Sequence, residues 1–433
     1  MVGLGGSVRN SGGRRRVFIT GVGIVSPLGG DRESTWEALL AGRSGVGPLD
    51  RFPSEGYGVR IAAQVRDPAA EAVGEDPELA RYDRFIRFAA RAAREALADA
   101  EARGARPPAP ERSGLFLGTG LGGIETLGRG VAQRLGAEAD FDEMEILRTF
   151  PAVTALRFLA GRHGLRGPAA SFSSACASSA HGLGEALRAL RRGEADRLLV
   201  VGTEAAIVPL AVAGFANMRA LSTRNEEPWR ASRPFDEERD GFVIGEGAAA
   251  LVLDGEEQLY DARPYAELAG YGSSEDAFHP TLPDPEGRGA EEAMRRALAD
   301  AGLAPERIGY INAHATGTPA GDEAEARAIA AIFGRYTGDD GRAPRVGATK
   351  AQTGHLLGAA GTLEAALTAL GLERGVLPGT ATLERPQPEL GIRLFRDPVA
   401  ARPEAALSNS FGFGGQNVTL VLVAAEGNGG PGA

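Results

Sequence analysis

Apolar residues along this chain follow two rhythms. Short apolar runs bounded by glycine predict buried strands, and apolar residues recurring every three to four positions predict amphipathic helices. Arg15 to Gly29 reads as a strand that ends in a glycine turn. Ser34 to Ala41 predicts a short helix with Ser34 as its N-cap, and Pro48 to Asp67 predicts loop around one strand. Asp83 to Ala102 is strongly helical and rich in alanine. Leu115 to Gly120, Arg197 to Glu204 and Ala248 to Asp254 are apolar enough to be buried strands. Glu138 to Leu159 mixes helix and loop, and Leu183 to Arg192 predicts a helix. Alternating strands and helices predict an α/β fold with parallel sheets covered on both faces.

The pattern then repeats. Arg94-Glu95-Ala96-Leu97-Ala98-Asp99-Ala100 returns as Arg295-Arg296-Ala297-Leu298-Ala299-Asp300-Ala301. Each copy is followed by a proline-containing loop and a short strand, Gly114 to Leu117 and Gly309 to Asn312. A second match sets Gly182, Glu185 and Ala186 against Gly361, Glu364 and Ala365. Nine residues before each glutamate stand Cys176 and His355. Two matches in the same order predict a duplicated fold, two α/β units packed back to back with a site at their junction. The expected division is a disordered start at 1–13, one half at 14–260, a second at 261–425 and a flexible tail at 426–433.

Composition narrows the chemistry. Few aromatics beside 62 glycines predict close backbone approach between helices and sheets. One cysteine excludes an internal disulfide and a cysteine-based zinc site. The five histidines lack metal-ligand spacing. The glycines near Gly118 and Gly120 lack the dinucleotide-binding spacing, so no cofactor site is expected there. No apolar run reaches a membrane span, and Val17 to Val25 is broken by Thr20 and Gly21, unlike a signal-peptide core. A cytoplasmic protein is expected. A net charge of −10 argues against nucleic acid, and an acidic partner would need a local basic patch.

Four stretches carry candidate chemistry. Cys176 lies among small residues just before a helix, where the dipole would lower its pKa and free N–H groups could hold an oxyanion. The same stretch fits a buried structural cysteine. His314 follows a strand in a loop of small residues with Thr316 and Thr318; the loop also reads as a cap, with Asp322 as N-cap of the next helix. Lys350 and His355 are five apart at a predicted helix start, with Glu364 as a partner for the lysine. A histidine in a first turn stays neutral and can donate to an oxyanion, although it also fits a satisfied core residue. Ser408 to Asn417 is a glycine-rich turn whose Phe411 and Phe413 suit either an apolar tunnel or an ordinary hairpin.

Six stretches in order resemble the β-ketoacyl-acyl carrier protein synthases of the thiolase superfamily, closest to the elongating synthase II type. They are Val17 to Gly29, Ser173 to Ala177, Arg239 to Gly247, Asn312 to Pro319, Lys350 to His355 and Ser408 to Gly415. The resemblance spans about Arg15 to Ala424 and implies a thiolase-like duplicated fold with five layers, α-β-α-β-α. It implies an acyltransferase that joins an acyl group on Cys176 to malonyl-acyl carrier protein by decarboxylative Claisen condensation. His314 and His355 match the histidine pair, Lys350 the lysine that organises the site, and Glu364 a nearby structural acid. Thr316 and Thr318 match the threonines that hold the pantetheine arm. Phe413 with Phe242 matches an aromatic gate, and Leu121 an acyl-pocket position. The oxyanion hole would be the N–H groups of Cys176 and Phe413, and Arg219 matches a carrier-docking position. Arg81, Arg84, Arg87 and Arg91 offer a second docking cluster or a solvated helix face. The phosphopantetheine would belong to the carrier, leaving the enzyme with no cofactor or metal of its own. A homodimer is implied. Ala351, Gln416 and the form of the His314 loop depart from the usual pattern and keep a polyketide ketosynthase open, paired with a chain-length subunit. The alternative from another class is a non-catalytic partner subunit, against which Cys176 argues, since such subunits typically lack the cysteine. Chain length and pathway are left open.

Overall fold

The computed structural model describes residues 14–67, 76–136, 141–334 and 343–425. The expected disordered start and flexible tail lie outside them. In the first half run β1 (Val17–Val25), α1 (Arg84–Ala102), β2 (Ser113–Gly118), β3 (Ala169–Phe172), α2 (Ser178–Arg191), β4 (Arg197–Glu204) and β5 (Gly247–Gly255). The second half holds β6 (Ala266–Glu275), α3 (Arg288–Ala301), β7 (Ile308–Asn312), α4 (Pro319–Phe333), β8 (Arg345–Gly347), α5 (Ala360–Arg374), β9 (Ala405–Gly412) and β10 (Gln416–Ala424).

The strands lie in the order β1-β5-β4-β2-β3 in one unit and β6-β10-β9-β7-β8 in the other. The two are joined where β1 meets β6 through the antiparallel pairs Phe18–Glu267 and Ile19–Ala266. The sheets are mixed, not parallel as the alternation suggested. β4, β2 and β3 run parallel, as do β9, β7 and β8, but β5 and β10 are antiparallel to both their neighbours. The reason is local in the second half: β9 and β10 are joined by a hairpin too short for a parallel crossover.

Every central strand is buried on both faces. On β4, Leu198 and Val200 enter a core shared with Leu183 and Leu187 of α2 and Leu363 and Leu367 of α5. Leu199 and Val201 face Phe85 and Ala89 of α1 instead. On β9, Leu407 packs with Met294 of α3 and Ile329 of α4. This period-two division yields the expected five layers, with α2 and α5 between the sheets.

The repeat extends to single contacts. A Cβ added at Gly21 would sit 2.1 Å from the Ala96 carbonyl oxygen, and one at Gly270 would sit 2.4 Å from that of Ala297. Asp99 accepts the Val22 N–H at 2.9 Å, and Asp300 accepts the Tyr271 N–H at 3.1 Å. Each helix therefore lies directly on its sheet through glycine, as the composition suggested.

Two caps differ from expectation. The first helix runs Arg32–Leu40 with Asp31 as N-cap; Ser34 is its capping-box partner at N3. α4 starts after Thr318, and Asp322 lies inside it, accepting from Phe235 and Gly317 N–H groups. Among the described residues no helix is long and apolar enough to cross a membrane.

Gly272→Ala is expected to destabilise by about 1–3 kcal/mol, because its Cβ would meet the Ala293 carbonyl at 2.1 Å. Gly128→Ala, on an open helix position, is expected to stabilise by up to about 1 kcal/mol. Chemical denaturation of the two variants checks the contrast.

Candidate active site

The ends of four segments from both halves meet at one pocket. Cys176 lies between β3 and α2, His314 after β7, His355 between Lys350–Thr353 and α5, and Phe413 in the β9–β10 turn. The Cys176 sulfur and nitrogens of His314 and His355 all lie within 4.8 Å of one another, and all three residues are buried. The imidazole centroids are 5.3 Å apart, with the rings at 81°. Sulfur with two imidazoles is also a zinc-type donor set. Here burial first, and the Lys350 ammonium second, depress the basicity of both rings, and that ammonium disfavours a dication at the same place.

The approach of α2 and α5 produces this convergence. Gly361 leaves no room for a side chain: a Cβ there would be 2.7 Å from both Cβ and N of Ala180. The Thr362 N–H donates to Ser179 Oγ at 3.0 Å across the same contact. The residues before the two matched positions, Ala175 and Gly354, both have positive φ, 49° and 64°. Ala315 and Leu357 are also left-handed, so non-glycine strain flanks all three groups.

His355 is oriented through its backbone and its ring. Its N–H donates to the Val243 carbonyl at 2.8 Å, and its own carbonyl accepts from Gly245 at 2.8 Å. Nδ1 accepts the Leu357 N–H at 3.3 Å, which assigns the ring proton to Nε2. Nε2 is buried with no hydrogen-bond partner among the described residues. The expected neutral donor is therefore present for a different reason. His355 precedes a 3-10 turn, Leu357–Ala359, and α5 begins only at Ala360, so it is not in a helix's first turn. Burial first, then Lys350, holds it well below the ordinary histidine range. The same two causes, in that order, with His355 added, depress His314.

Lys350 is fully buried and paired with Glu364. Burial lifts the Glu364 carboxyl to about 7, and the ammonium pulls against it. Glu325, on the buried face of α4, accepts the His314 and Ala315 N–H groups at 2.9 and 2.7 Å and Asn409 Nδ2 at 3.0 Å. The sequence reading missed it. A carboxylate three residues beyond Asp322 and four before Ile329, on an otherwise apolar helix face, was its available signal.

Cys176 corrects an expectation. Burial pushes its thiol up to about 11, outweighing the Phe413 N–H that donates to the sulfur and the Lys350 charge. Glu204 and Glu364 raise it further. At rest the Cys176 sulfur is a thiol.

Thr316 and Thr318 line the pocket with their hydroxyls 3.0 Å apart. Arg219 stands exposed at its mouth with φ 55°. The Arg81–Arg91 cluster does not form one basic face: Arg84 is buried against Glu125 and Glu246, and Arg81 pairs with Glu78. Phe242 and Phe413 both line the pocket, but Phe215, missed in the sequence, lies between them at 5.5 and 6.4 Å. Leu121 packs behind these rings with Ile124, Val208 and Val212 and does not line the pocket.

Iodoacetamide alkylation of Cys176, followed by mass spectrometry, is expected to accelerate through about pH 9. A plateau below about pH 8 would instead mean a resting thiolate.

A model of the β-ketoacyl synthase N-terminal domain matches residues 14–258, and one of the C-terminal domain matches residues 265–384. The 3-oxoacyl-acyl-carrier-protein synthase 2 of Coxiella burnetii is 42% identical over 426 residues, 94% of this chain and 98% of that protein. A type II PKS acyl-carrier protein in complex with its ketosynthase bound to the hexaketide has a TM-score of 0.84 and 27% identity, covering 95% of this chain and 100% of the matched one. The ishigamide ketosynthase/chain length factor has a TM-score of 0.82 and 33% identity, with the same coverage. Near-complete coverage of the curated relative and matches to both domain models lead to one conclusion: the chain belongs to the β-ketoacyl synthase family.

Proposed function

We propose that this chain is a condensing acyltransferase that extends an acyl group held on Cys176 with malonyl-acyl carrier protein. The observation that carries the reading is the meeting of one thiol and two neutral imidazoles at the end of a pocket lined by Thr316 and Thr318. A carrier's pantetheine arm enters past Arg219 and is held by the two threonine hydroxyls. The Cys176 sulfur attacks the acyl thioester carbonyl, and the Cys176 and Phe413 N–H groups stabilise the oxyanion. Collapse leaves an acyl-cysteine, and the carrier departs as a thiol with the proton that Cys176 lost.

Malonyl carrier then binds in the same place. Its C–C bond to the carboxylate breaks, CO2 leaves, and the electron pair forms an enolate on the thioester. Nε2–H of His355 and the ring of His314 donate to that oxygen, which a dry, positively biased pocket favours. The enolate carbon attacks the acyl-cysteine carbonyl, and a β-ketoacyl carrier forms. The expelled cysteine sulfur takes up a proton. Neutral rings are required for donation without a competing positive charge, and burial with Lys350 keeps them so. Glu364 holds Lys350 in place, and Leu121, behind the Phe215–Phe242 pair, limits chain length.

A second chain completes the unit in this reading. Among the described residues edge strand β3 has only β2 as a neighbour, and it leads straight into the Cys176 stretch. A copy of this chain would cover that edge in a homodimer. The solved ketosynthase/chain length factor favours a second reading, in which a chain-length subunit takes that place in a polyketide system. Cys176 argues against the chain being the non-catalytic partner. Sedimentation of the purified chain, alone and with a candidate partner, separates the two.

The test of the reaction is direct. Purified protein with acyl and malonyl carriers is expected to release CO2 and form the β-keto product. Absence of both acyl transfer and condensation, with a candidate partner added, rejects the reading. Cys176→Gln is expected to lose condensation and retain decarboxylation; the opposite pattern contradicts the assigned roles. Leu121→Phe is expected to shift products toward shorter chains, read by mass spectrometry of the acyl-cysteine.

A further inference from the structure

Glu204 ends β4, is fully buried, and has no part in the steps above. Its carboxylate lies at the contact between the halves. Oε1 accepts the Thr119 hydroxyl at 3.1 Å and the Leu121 N–H at 3.0 Å. Oε2 accepts the Gly120 N–H at 2.6 Å and the Gly358 N–H at 3.0 Å. Three of those donors belong to the loop after β2 in the first half. The fourth belongs to the turn after His355 in the second.

Both segments bear on the chemistry. Gly358 directly follows Leu357, the left-handed residue whose N–H caps Nδ1 of His355. Leu121 packs in the same apolar cluster as Phe215, Phe242 and Phe413. No side chain buffers the contact, since a Cβ on Gly358 would meet the Gly120 nitrogen at 2.2 Å. A shift in either loop must therefore pass to the other or break bonds to Glu204. A general-base role is excluded by geometry: both oxygens are occupied by donors of the two loops.

We infer that Glu204 is a positioning residue that fixes, through one carboxylate, both the orientation of His355 and the place of Leu121. This extends the condensing reading, in which His355 donates to the enolate and Leu121 limits chain length. Ketosynthase activity and chain-length preference are then coupled at a residue that touches no reacting atom.

Two variants test this. In Glu204→Gln an amide NH2 replaces one acceptor oxygen, so at least one backbone N–H loses its partner. Glu204→Ala removes all four bonds. Assays run near pH 8, because burial lifts the Glu204 carboxyl to about 7. In Glu204→Ala, kcat for malonyl decarboxylation is expected to fall about 10- to 100-fold. KM for malonyl carrier should stay within about threefold, since the threonines that hold the arm are untouched. The acyl-length profile should shift in both variants. In the substrate-free protein, 15N-histidine spectra should show His355 changing from a single Nε2-protonated tautomer to a mixture in Glu204→Ala.

A folded Glu204→Ala with an unchanged His355 spectrum overturns the proposal, as does an unchanged acyl-length profile in both variants. So does a uniform fall of acyl transfer, decarboxylation and condensation in step with the loss of folded protein. A wild-type chain that never condenses refutes the assigned reaction instead, and the His355 spectrum still decides the role of Glu204.

Discussion

The close approach of α2 and α5 is the contact on which the rest of this molecule depends. Gly361 against Ala180 lets two helix starts from opposite halves come together without a side chain between them. Each half supplies one reactive group just before its central helix, so the contact sets a thiol beside an imidazole. Everything farther out serves that approach. The glycines of β1 and β6 seat the outer helices directly on the sheets, and the sheets clamp the central pair from both sides. A bulkier residue at Gly361 would widen the gap across which the reacting carbons must meet.

Burial costs this site a great deal, and the arrangement of partners offsets it group by group. Lys350 is matched by Glu364, Glu325 by two backbone N–H groups and an amide, and Glu204 by four donors. Breaking one buried ion pair typically costs about 3–5 kcal/mol, so these groups stand or fall together. The matching is incomplete at the reactive groups, and Glu364 keeps one oxygen, Oε2, without a partner among the described residues. Among the described residues His314 Nδ1 and His355 Nε2 have no hydrogen-bond partner, and burial holds the thiol neutral. In a site built for acyl transfer and enolate chemistry, such atoms are the ones that substrate must satisfy.

Much of this was legible in the chain. The run Arg197 to Glu204 is the strand β4 residue for residue, and the repeat that pairs Cys176 with His355 is the same repeat that sets the strand order. Periodicity and local matches carry such information because they depend on near neighbours. Apart from the Ser34 cap and the helix start near His355, the misreadings concern distant partners. Asp322 resembled a cap because its neighbours are small, yet its carboxylate is claimed by Phe235, far away in sequence. The Cys176 thiol rises because two carboxylates and a whole core close over it, outweighing the local helix start. Glu204 and Phe215 were silent for the same reason: each lies in an apolar stretch whose role is set by another loop, while Glu325 showed only as a carboxylate on an otherwise apolar helix face. The mixed sheets were hidden because a strand's direction is fixed by what it joins, not by its own residues.

The placement of β1 has a consequence for synthesis. Among the described residues it is the first strand in chain order, yet it ends in the middle of the sheet, flanked by β5 and β6. Its neighbours begin at Gly247 and Ala266. At about 5–20 residues per second, the ribosome leaves this wholly apolar-faced segment unpartnered for on the order of ten seconds or more. The nascent chain is therefore a natural client for chaperones during that interval. Cys176 also emerges long before His314 and His355, the two residues that lie beside it once the chain is folded. A product truncated between them would carry the thiol without either imidazole.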